Sequence, residues 1–339
     1  MAKQINLALQ GGGAHGAFTW GVLDRILEDD RIEIAAISGT SAGAMNGAAL
    51  KSGWVRDGRQ GAKENLDWFW GKVGAITDDT LAAWMDAVAP ATPILAQAML
   101  YSPAFAAVDM ATRMFSPYSS GPLYTNPLKP IVEELRFDDV CSKEGPALYI
   151  CATNVRTGKI KLFSGVEITG DALMASACLP TMFRAVEIDG EAYWDGGYMG
   201  NPALFPLFHT DFPDDIMVIN INPLHRDEVP TDPQAIANRI NEISFNSSLF
   251  RELRAIEFVK RLLRTGQMTA NTMKDVLVHM VSDDTLMNEL GVATKSVPNP
   301  VVLARLKGAG RAAADQFLKD HYEDLGQRDT VDLQAMFEG

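Results

Sequence analysis

Residues 5–16 read Ile-Asn-Leu-Ala-Leu-Gln-Gly-Gly-Gly-Ala-His-Gly, and residues 34–43 read Ile-Ala-Ala-Ile-Ser-Gly-Thr-Ser-Ala-Gly. Each stretch is a short apolar run that ends in a glycine-rich turn, and an apolar helical pattern follows each turn. Strand, turn and helix repeated in this way are typical of an α/β fold with a parallel sheet. The sequence therefore predicts that both turns lie at the carboxyl edge of one sheet.

The rest of the chain carries further apolar runs of strand or helix length between Gly, Pro and Asp breaks. Strands are predicted over residues 147–153, 159–163, 216–222 and 276–281, a hairpin over 185–194, and helices over 171–178, 233–264 and 301–318. The hairpin is predicted from Asp189-Gly190, a dipeptide that favours tight turns. The helix over 233–264 is amphipathic, and its predicted inward stripe consists of Ile236, Ile240, Ile243, Leu249, Leu253, Ile256, Val259 and Leu263.

The balance of charges limits the classes of partner. The 339 residues include 30 Lys and Arg against 43 Asp and Glu, which gives a net charge of −13. An acidic protein of this kind is not expected to bind nucleic acid, or to bind anionic lipid by charge alone. Residues 1–222 contain 16 basic and 26 acidic side chains, so most of the acidity belongs to this part. The cysteines Cys141, Cys151 and Cys178 form no CxxC pair and favour a reducing, cytoplasmic location.

Residues 87–108 contain no charged side chain and are the candidate for a membrane span. Pro90, Pro93 and Pro103 interrupt this stretch, and a proline removes a backbone donor and breaks a helix. A continuous span is therefore not expected. Short broken helices that form an apolar cap over residues 81–123, or that lie at a lipid surface, fit the segment better.

The first glycine loop has three possible functions or structural roles. Gly11-Gly12-Gly13-Ala14-His15-Gly16 matches GxGxxG between a strand and a helix, as in a dinucleotide site. Such a site also needs an acidic residue at the end of the second strand, where this chain has Ser38-Gly39. The alternatives are a tight structural turn and an anion site formed by backbone N–H groups at a helix N-terminus. An oxyanion hole is an anion site of that kind.

The second glycine loop, Gly39-Thr40-Ser41-Ala42-Gly43, matches GxSxG, again between a strand and a helix. In a nucleophile elbow the serine adopts a strained conformation that exposes its hydroxyl, and small flanking residues prevent collisions. The alternative is an incidental turn. A nucleophilic serine needs a base and an oxyanion hole, and the N–H groups of Gly12 and Gly13 could face the carbon that Ser41 attacks.

The candidate base for Ser41 is Asp195, in the sequence Tyr193-Trp194-Asp195-Gly196-Gly197. It ends a predicted strand, and the two glycines that follow leave its carboxylate uncrowded. The alternative is a turn aspartate that caps its own backbone. A Ser-His-Asp order would need a late histidine, and His15, inside the first glycine loop, comes too early for it. No supporting motif surrounds His209, His225, His279 or His321. We expect His279, which lies in an apolar run, to be a buried core residue.

GGGxxG, GxSxG and a later Asp-Gly-Gly, in this order and spacing, resemble the patatin-like phospholipase family over roughly residues 5–222. Ala175-Ser176-Ala177-Cys178-Leu179-Pro180 is similar to another segment of that family. The resemblance implies an α/β three-layer sandwich with a mostly parallel central sheet. It also implies a catalytic dyad at Ser41 and Asp195, an oxyanion hole at Gly11, Gly12 and Gly13, an elbow at Gly39 and Gly43, and supporting roles for Gly16, Gly196 and Gly197.

His15 departs from the family pattern, which often has Arg or Lys at this position. A cation there would depend on pH or be absent. The alternative role for His15 is a hydrogen bond that anchors the loop.

The chain is predicted to divide between residues 223 and 233. Residues 1–222 would form the catalytic α/β domain, with the cap over 81–123 inserted in it. Residues 223–339 resemble the C-terminal region of a longer bacterial subgroup of the family and are predicted to be mainly helical. They are expected to pack on the core or to form the interface of a homodimer.

The leading hypothesis is a serine acyl-ester hydrolase of the phospholipase A, lysophospholipase or lipid esterase type. Its partner would be a lipid or another apolar acyl ester, with peripheral contact to a membrane or lipid inclusion as a further alternative. Other readings are an acyltransferase on a similar serine elbow, an intracellular polyester depolymerase, and an interaction module that lacks catalysis. The sequence has no metal-ligand spacing, and neither a metal nor a cofactor is expected.

Overall fold

A computed structural model describes residues 2–75, 114–269 and 272–337, and in addition residues 94–95, 98–99, 102–103, 107 and 110. Among these residues the strands are β1 (Lys3–Leu9), β2 (Ile32–Thr40), β3 (Ala147–Asn154), β4 (Ile160–Ser164), β5 (Val186–Ile188), β6 (Glu191–Asp195), β7 (Asp215–Ile219) and β8 (Leu277–Val281). The α-helices are α1 (Gly16–Leu27), α2 (Ala42–Val73), α3 (Lys129–Glu133), α4 (Phe137–Val140), α5 (Gly170–Ser176), α6 (Pro233–Arg264), α7 (Asp284–Glu289), α8 (Val292–Ser296), α9 (Pro300–His321) and α10 (Leu333–Phe337). A break interrupts α2 where Asp57 and Gly58 leave the helical backbone range.

The described strands form one sheet in the order β5-β6-β3-β2-β1-β7-β8, and β4 pairs with β3 away from this path. Neighbours from β3 through β2, β1 and β7 to β8 are parallel, whereas β4 and β6 run antiparallel to β3, and β5 antiparallel to β6. The predicted α/β class with a mostly parallel sheet is therefore confirmed. Because β1 and β2 are parallel neighbours, the turns that follow them lie at the same edge of the sheet.

Two apolar cores cover the two faces of the sheet. Successive residues of a strand point to opposite faces. In β1, Ile5, Leu7 and Leu9 belong to a core that includes side chains of α1, α2 and α9. Ala8, between them, belongs to a second core with side chains of α6 and α10. Helices thus lie on both faces, which confirms the predicted three-layer sandwich.

Most predicted elements lie within a few residues of their predicted bounds. The hairpin turns at Asp189 and Gly190, whose φ angles of 52° and 79° are both positive, as a two-residue turn of this type requires. One boundary differs from the prediction, because β7 ends at Ile219 rather than near residue 222.

In the C-terminal half of α6, Leu249, Leu253 and Ile256 of the predicted apolar stripe are buried, and Val259 and Leu263 are half-buried. The prediction is wrong for the N-terminal half, where side chains are between 41% and 62% exposed at Ile236, Ile240 and Ile243. There the inward side carries Glu242 and Asn246, which are buried and held by polar partners. The three isoleucines point outward because they lie on the opposite side of the helix from these polar groups.

The region after residue 223 is packed tightly against the rest of the molecule. β8 extends the sheet beside β7, and α9 packs on α1 at two glycines. A Cβ at Gly310 would overlap the Phe18 carbonyl oxygen, and a Cβ at Gly21 would overlap that of Lys307. The division of the chain near residue 223 remains a prediction about domains, because these contacts alone do not define a folding unit.

The predicted cap over 81–123 lies largely outside the described residues. Its described end, Pro117–Leu123, forms a short 3-10 helix, and the Gly121 carbonyl accepts a hydrogen bond from Arg184 Nη2 at 2.6 Å. Among the described helices, none has both the length and the apolar character needed to cross a membrane.

Candidate active site

Ser41 lies at the turn between β2 and α2 in a strained backbone conformation. Its φ of 53° and ψ of −119° lie outside the regions that residues with a side chain commonly adopt. The Ser41 N–H donates to Ser176 Oγ at 2.8 Å, which helps to hold the turn. The side chain of Ser41 lies at the wall of a cavity. This is the geometry expected of a nucleophile elbow.

Gly39 and Gly43 are the small neighbours that this turn requires. A Cβ at Gly39 would lie 2.6 Å from the Gly43 carbonyl oxygen, and a Cβ at Gly43 would overlap the carbonyl oxygen of Leu9. A side chain at either position would therefore push α2 away from β1 or β2. The GxSxG pattern is needed here because the helix packs directly on the backbones of two strands.

Asp195, at the end of β6, is buried, with 1% of its surface exposed. Its Oδ1 accepts the Gly197 N–H at 2.7 Å, whereas Oδ2 is buried with no hydrogen-bond partner in the part of the chain that the structure describes. Burial raises the pKa of Asp195 to about 7, although the Gly197 N–H and the Ser41 hydroxyl act in the opposite direction. A carboxylate with such a pKa can accept a proton from a serine at neutral pH far more readily than an ordinary one.

The sheet register brings Asp195 close to Ser41. Thr40 pairs with Cys151 between β2 and β3, and the next residue of β3, Ala152, pairs with Asp195. The Ser41 hydroxyl lowers the pKa of Asp195 without completing a hydrogen bond to its free Oδ2. Catalytic hydrogen bonds are often long before substrate binds, so this arrangement fits a nucleophile and its base in the unliganded state.

Other titratable groups around Asp195 stay neutral near pH 7. Burial raises the pKa of the Cys178 thiol and of the Tyr198 hydroxyl to about 12, and it also raises the pKa of the Cys151 thiol. Of these four groups, Asp195 is therefore the one that changes its charge at neutral pH.

The glycine loop after β1 forms part of the cavity wall. Gly12 and Gly13 line its wall together with Ser41, and their N–H groups have no acceptor among the described residues. The N–H of Gly11, the third glycine predicted for the oxyanion hole, donates to Asn201 Oδ1 at 2.7 Å. Gly11 is needed for space instead, since a Cβ there would lie 2.7 Å from the Ser41 Cβ.

Four buried amide side chains, Gln10, Asn201, Asn222 and Asn246, form a cluster behind this loop. Gln10 Oε1 accepts from Asn222 Nδ2 at 3.0 Å, and Gln10 Nε2 donates to Asn246 Oδ1 at 3.2 Å. Asn222 Nδ2 also donates to the Gly11 carbonyl at 2.9 Å. The amide cluster holds the glycine loop in place. Sequence reasoning missed it, because single amides after strand ends look like ordinary turn residues.

His15 is buried, and its Nε2 lies 2.8 Å from Thr294 Oγ1. Burial and the nearby Lys295 ammonium hold the pKa of His15 well below its usual value. The ring is therefore neutral at pH 7 and supplies no cation to the loop. Of the two roles considered for His15, the anchoring hydrogen bond matches this geometry, and it connects the glycine loop to α8.

The three supporting glycines allow close contacts around the site. A Cβ at Gly16 would lie 2.7 Å from the Ala42 Cβ, where α1 and α2 begin side by side. A Cβ at Gly196 would overlap a carbonyl oxygen of β3, and one at Gly197 would overlap the ring of Phe245. Phe245 belongs to α6, so the turn after Asp195 also depends on the C-terminal region.

A cavity of about 400 Å³ opens beside Ser41, Asp195, Gly12 and Gly13. This volume is in the usual range for small-molecule sites. Most of the wall is apolar, and it includes Met45, Phe69, Trp70, Leu128, Ile131, Leu179, Met182, Phe183 and Phe245. The cavity can therefore hold a hydrocarbon chain with its polar end near Ser41.

No histidine of the described residues lines this cavity. His279 is fully buried and lies 2.8 Å from Asp215 Oδ1, which confirms the expectation of a core residue. Nor do three or more His, Cys, Asp or Glu side chains cluster as metal ligands within the described ranges. The strand β2 ends at Thr40 and leads into Ser41, so no carboxylate stands where a dinucleotide site would need one.

Comparison with known proteins places these features in a family. A family model described as Patatin-like phospholipase matches residues 7–208, more than half of the chain. No curated protein sequence matches the chain. A solved structure, described as the crystal structure of VipD from Legionella pneumophila, is similar at 15% sequence identity and a TM-score of 0.42, over 94% of this chain and 67% of that one. The family match includes both glycine loops and Asp195, and the chain belongs to the patatin-like phospholipase family.

Proposed function

We propose that the protein is a serine acyl-ester hydrolase that cleaves a lipid or another apolar ester with Ser41 and Asp195. The observation that carries the proposal is a strained serine at the cavity wall beside a buried carboxylate whose Oδ2 has no hydrogen-bond partner among the described residues. Leaving a buried acceptor unpaired costs stability, so such groups call for an explanation. Membership of the patatin-like phospholipase family supports a lipid as the substrate class.

In the first half of the reaction, Asp195 accepts the hydroxyl proton of Ser41 while Oγ attacks the carbonyl carbon of the ester. The carbonyl oxygen becomes an oxyanion, and the N–H groups of Gly12 and Gly13 donate to it. In other oxyanion holes one such donor contributes about 3 kcal/mol to the transition state. The intermediate then collapses, the alcohol leaves with the proton from Asp195, and the acyl group stays on Oγ.

In the second half, a water molecule gives a proton to Asp195 and attacks the acyl carbon. Collapse of the new intermediate breaks the bond to Oγ, returns the proton to Ser41 and releases the acid. The pKa of Asp195, raised to about 7 by burial, suits both directions of transfer. A group with a pKa near the working pH both accepts and returns a proton readily.

Ser41→Ala and Asp195→Asn test the proposed roles. Each is expected to lower kcat for ester hydrolysis by about 10³-fold or more, as removal of a nucleophile or base does elsewhere. Ser247→Ala and Asp189→Asn are matched controls outside the cavity wall and should retain activity. Circular dichroism and thermal melting check that all four variants fold. Retained turnover in purified Ser41→Ala protein would overturn the proposal.

A panel of phospholipids, lysophospholipids and monoesters of graded chain length identifies the substrate. Each reaction is run with and without an added alcohol acceptor. Free acid as the product supports hydrolysis, whereas a new ester that forms only with the alcohol supports acyl transfer. A fluorophosphonate probe is expected to label Ser41, and failure to label it would favour a protein that kept the fold without the catalysis.

A further inference from the structure

Lys295 brings a positive charge to the cavity from outside the matched residues 7–208. It belongs to α8, which packs directly on the glycine loop, because a Cβ at Gly13 would overlap the Lys295 carbonyl oxygen. The hydrogen bond of 2.8 Å between His15 and Thr294 holds α8 at the preceding residue. The fold thus holds Lys295 in a defined position beside the candidate oxyanion hole.

The Lys295 ammonium has unused hydrogen-bonding capacity. Its Nζ donates to Asn222 Oδ1 at 2.9 Å and has no other hydrogen-bond partner among the described residues, although an ammonium has three donors. Burial lowers the pKa of Lys295 to about 8, while Glu242 acts in the opposite direction. Most Lys295 side chains are therefore charged at pH 7. A half-buried cation with free donors is a favourable site for an anion.

The surrounding charges do not neutralise this cation. Glu242 is the carboxylate that acts on Lys295, but Arg226 already holds its two oxygens at 2.7 and 2.8 Å. Arg239 donates to Glu242 as well, at 3.2 Å. One carboxylate therefore faces three cations, which leaves an excess of positive charge beside the cavity.

We propose that Lys295 recognises an oxyanionic group, a phosphate or a carboxylate, carried by the ester substrate. The inference rests on the proposed function and names the substrate class as anionic acyl esters. Asn222 Oδ1, which accepts from Lys295 Nζ at 2.9 Å, would lie 3.7 Å from a Cβ at Gly12, so the ammonium lies close to the candidate oxyanion hole. The acidic group of the substrate is thus expected a few bonds from the carbonyl that Ser41 attacks.

Binding of short amphiphiles to Ser41→Ala protein tests Lys295 without relying on turnover. Isothermal titration calorimetry compares octyl phosphate, octanoate and octanol, which share an alkyl chain and differ in the head group. At least one of the two anions is expected to bind about 10-fold or more tightly than octanol, since hydrogen bonds to charged groups are the stronger ones. The preferred anion tells whether a phosphate or a carboxylate is recognised.

Adding Lys295→Met to the Ser41→Ala protein is expected to remove most of this preference, whereas Lys295→Arg should retain it. Thermal melting checks that both variants fold. An unchanged preference for the anion after Lys295→Met would overturn the inference. So would a Ser41→Ala protein with Lys295 intact that binds octanol as tightly as both anions.

Turnover provides the second measurement. Lysophosphatidic acid and the monoacylglycerol with the same acyl chain differ only in the phosphate. The measured quantity is kcat/KM for lysophosphatidic acid divided by kcat/KM for the monoacylglycerol. Lys295→Met is expected to lower this ratio about 10-fold, mainly through KM for the anionic ester. Lys72→Met is the matched control, because Lys72 also lines the cavity but is paired with Glu134 at 2.7 Å.

The outcomes separate the two proposals. If the wild-type protein hydrolyses neither of these esters and none of the phospholipids, lysophospholipids and monoesters of the panel, the proposed function fails. Calorimetry then still tests whether Lys295 binds an anionic group. If it hydrolyses both esters and Lys295→Met leaves their ratio unchanged, the inference about Lys295 fails and the proposed function stands.

Discussion

At the scale of single residues, the candidate site contains two groups that cost stability. Ser41 has a positive φ although it is not a glycine, and such strain persists only where the surrounding structure imposes it. Asp195 keeps a carboxylate oxygen buried without a partner among the described residues. Unfavourable groups that lie side by side at a cavity are typical of functional sites.

The raised pKa of Asp195 predicts how ester hydrolysis depends on pH. Burial raises its pKa to about 7. Asp195 is therefore ionised in roughly a tenth of the molecules at pH 6 and in roughly nine-tenths of them at pH 8. Because the reaction needs the ionised form, kcat/KM is expected to rise about tenfold between these two pH values. A pH profile measured with a short soluble ester checks this.

Glu252 supplies the control for that profile. Burial raises its pKa to about 7 as well, against the N–H groups of Leu204 and Phe205 that donate to it. Glu252→Gln is expected to leave the midpoint of the profile unchanged, since Glu252 does not line the cavity. A midpoint that disappears with this substitution, or a kcat/KM that does not rise through neutral pH, would show that Asp195 is not the titrating base.

At the scale of helices and strands, close glycine contacts decide how the elements pack. Gly43 lets α2 lie on the backbone of β1, and Gly21 and Gly310 let α1 and α9 touch at their backbones. Only a glycine allows two backbones to approach so closely. The same kind of contact therefore positions the nucleophile turn and attaches the C-terminal region to the core.

Gly310→Ala is expected to lower the free energy of unfolding by about 3 kcal/mol, because overpacking at a helix contact forces the backbones apart. The added Cβ would overlap the Phe18 carbonyl oxygen, and this outweighs the gain of about 1 kcal/mol in helix propensity. Urea unfolding measures the change. Gly170→Ala is the matched control, since the nearest atom to its Cβ would be 3.6 Å away. An equal effect of both substitutions would contradict the explanation.

At the scale of the whole molecule, the first 222 residues and the remainder of the chain pack together into one structure. Lys3 Nζ donates to the Tyr322 carbonyl at 2.8 Å, and β8 covers the edge of β7. The cavity wall contains Ser41 and Asp195 from the first 222 residues and Phe245 and Lys295 from the remainder. The sequence motifs of the site all lie before residue 223, but the site itself does not.

Residues 1–222 alone are therefore not expected to form a stable fold. Without residues 223–339, the edge of β7 and the apolar face of α1 that α9 covers are exposed to water. The full chain, in contrast, should unfold in urea in one transition that circular dichroism and tryptophan fluorescence report together. A 1–222 fragment that unfolds cooperatively and hydrolyses esters would instead support two independent domains.

The sequence by itself determined the order of strands and helices, both glycine loops and the Asp-Gly-Gly turn. These features are local, because a turn with a positive φ or a strand beside a helix needs particular residue types at neighbouring positions. Ser41 and Asp195 could be found for the same reason, since each follows a strand within a short motif. The predicted apolar stripe of α6 was right in only one half of the helix, because the residues that pack against α6 lie elsewhere in the chain.

Only the tertiary structure decided which of these groups are free to act. Asn201 accepts the N–H of Gly11, whereas the N–H groups of Gly12 and Gly13 have no acceptor in the part of the chain that the structure describes. Lys295 reaches the cavity from a helix far along the chain and follows no motif. Such contacts join residues that are distant in sequence, so no local pattern of side chains can reveal them.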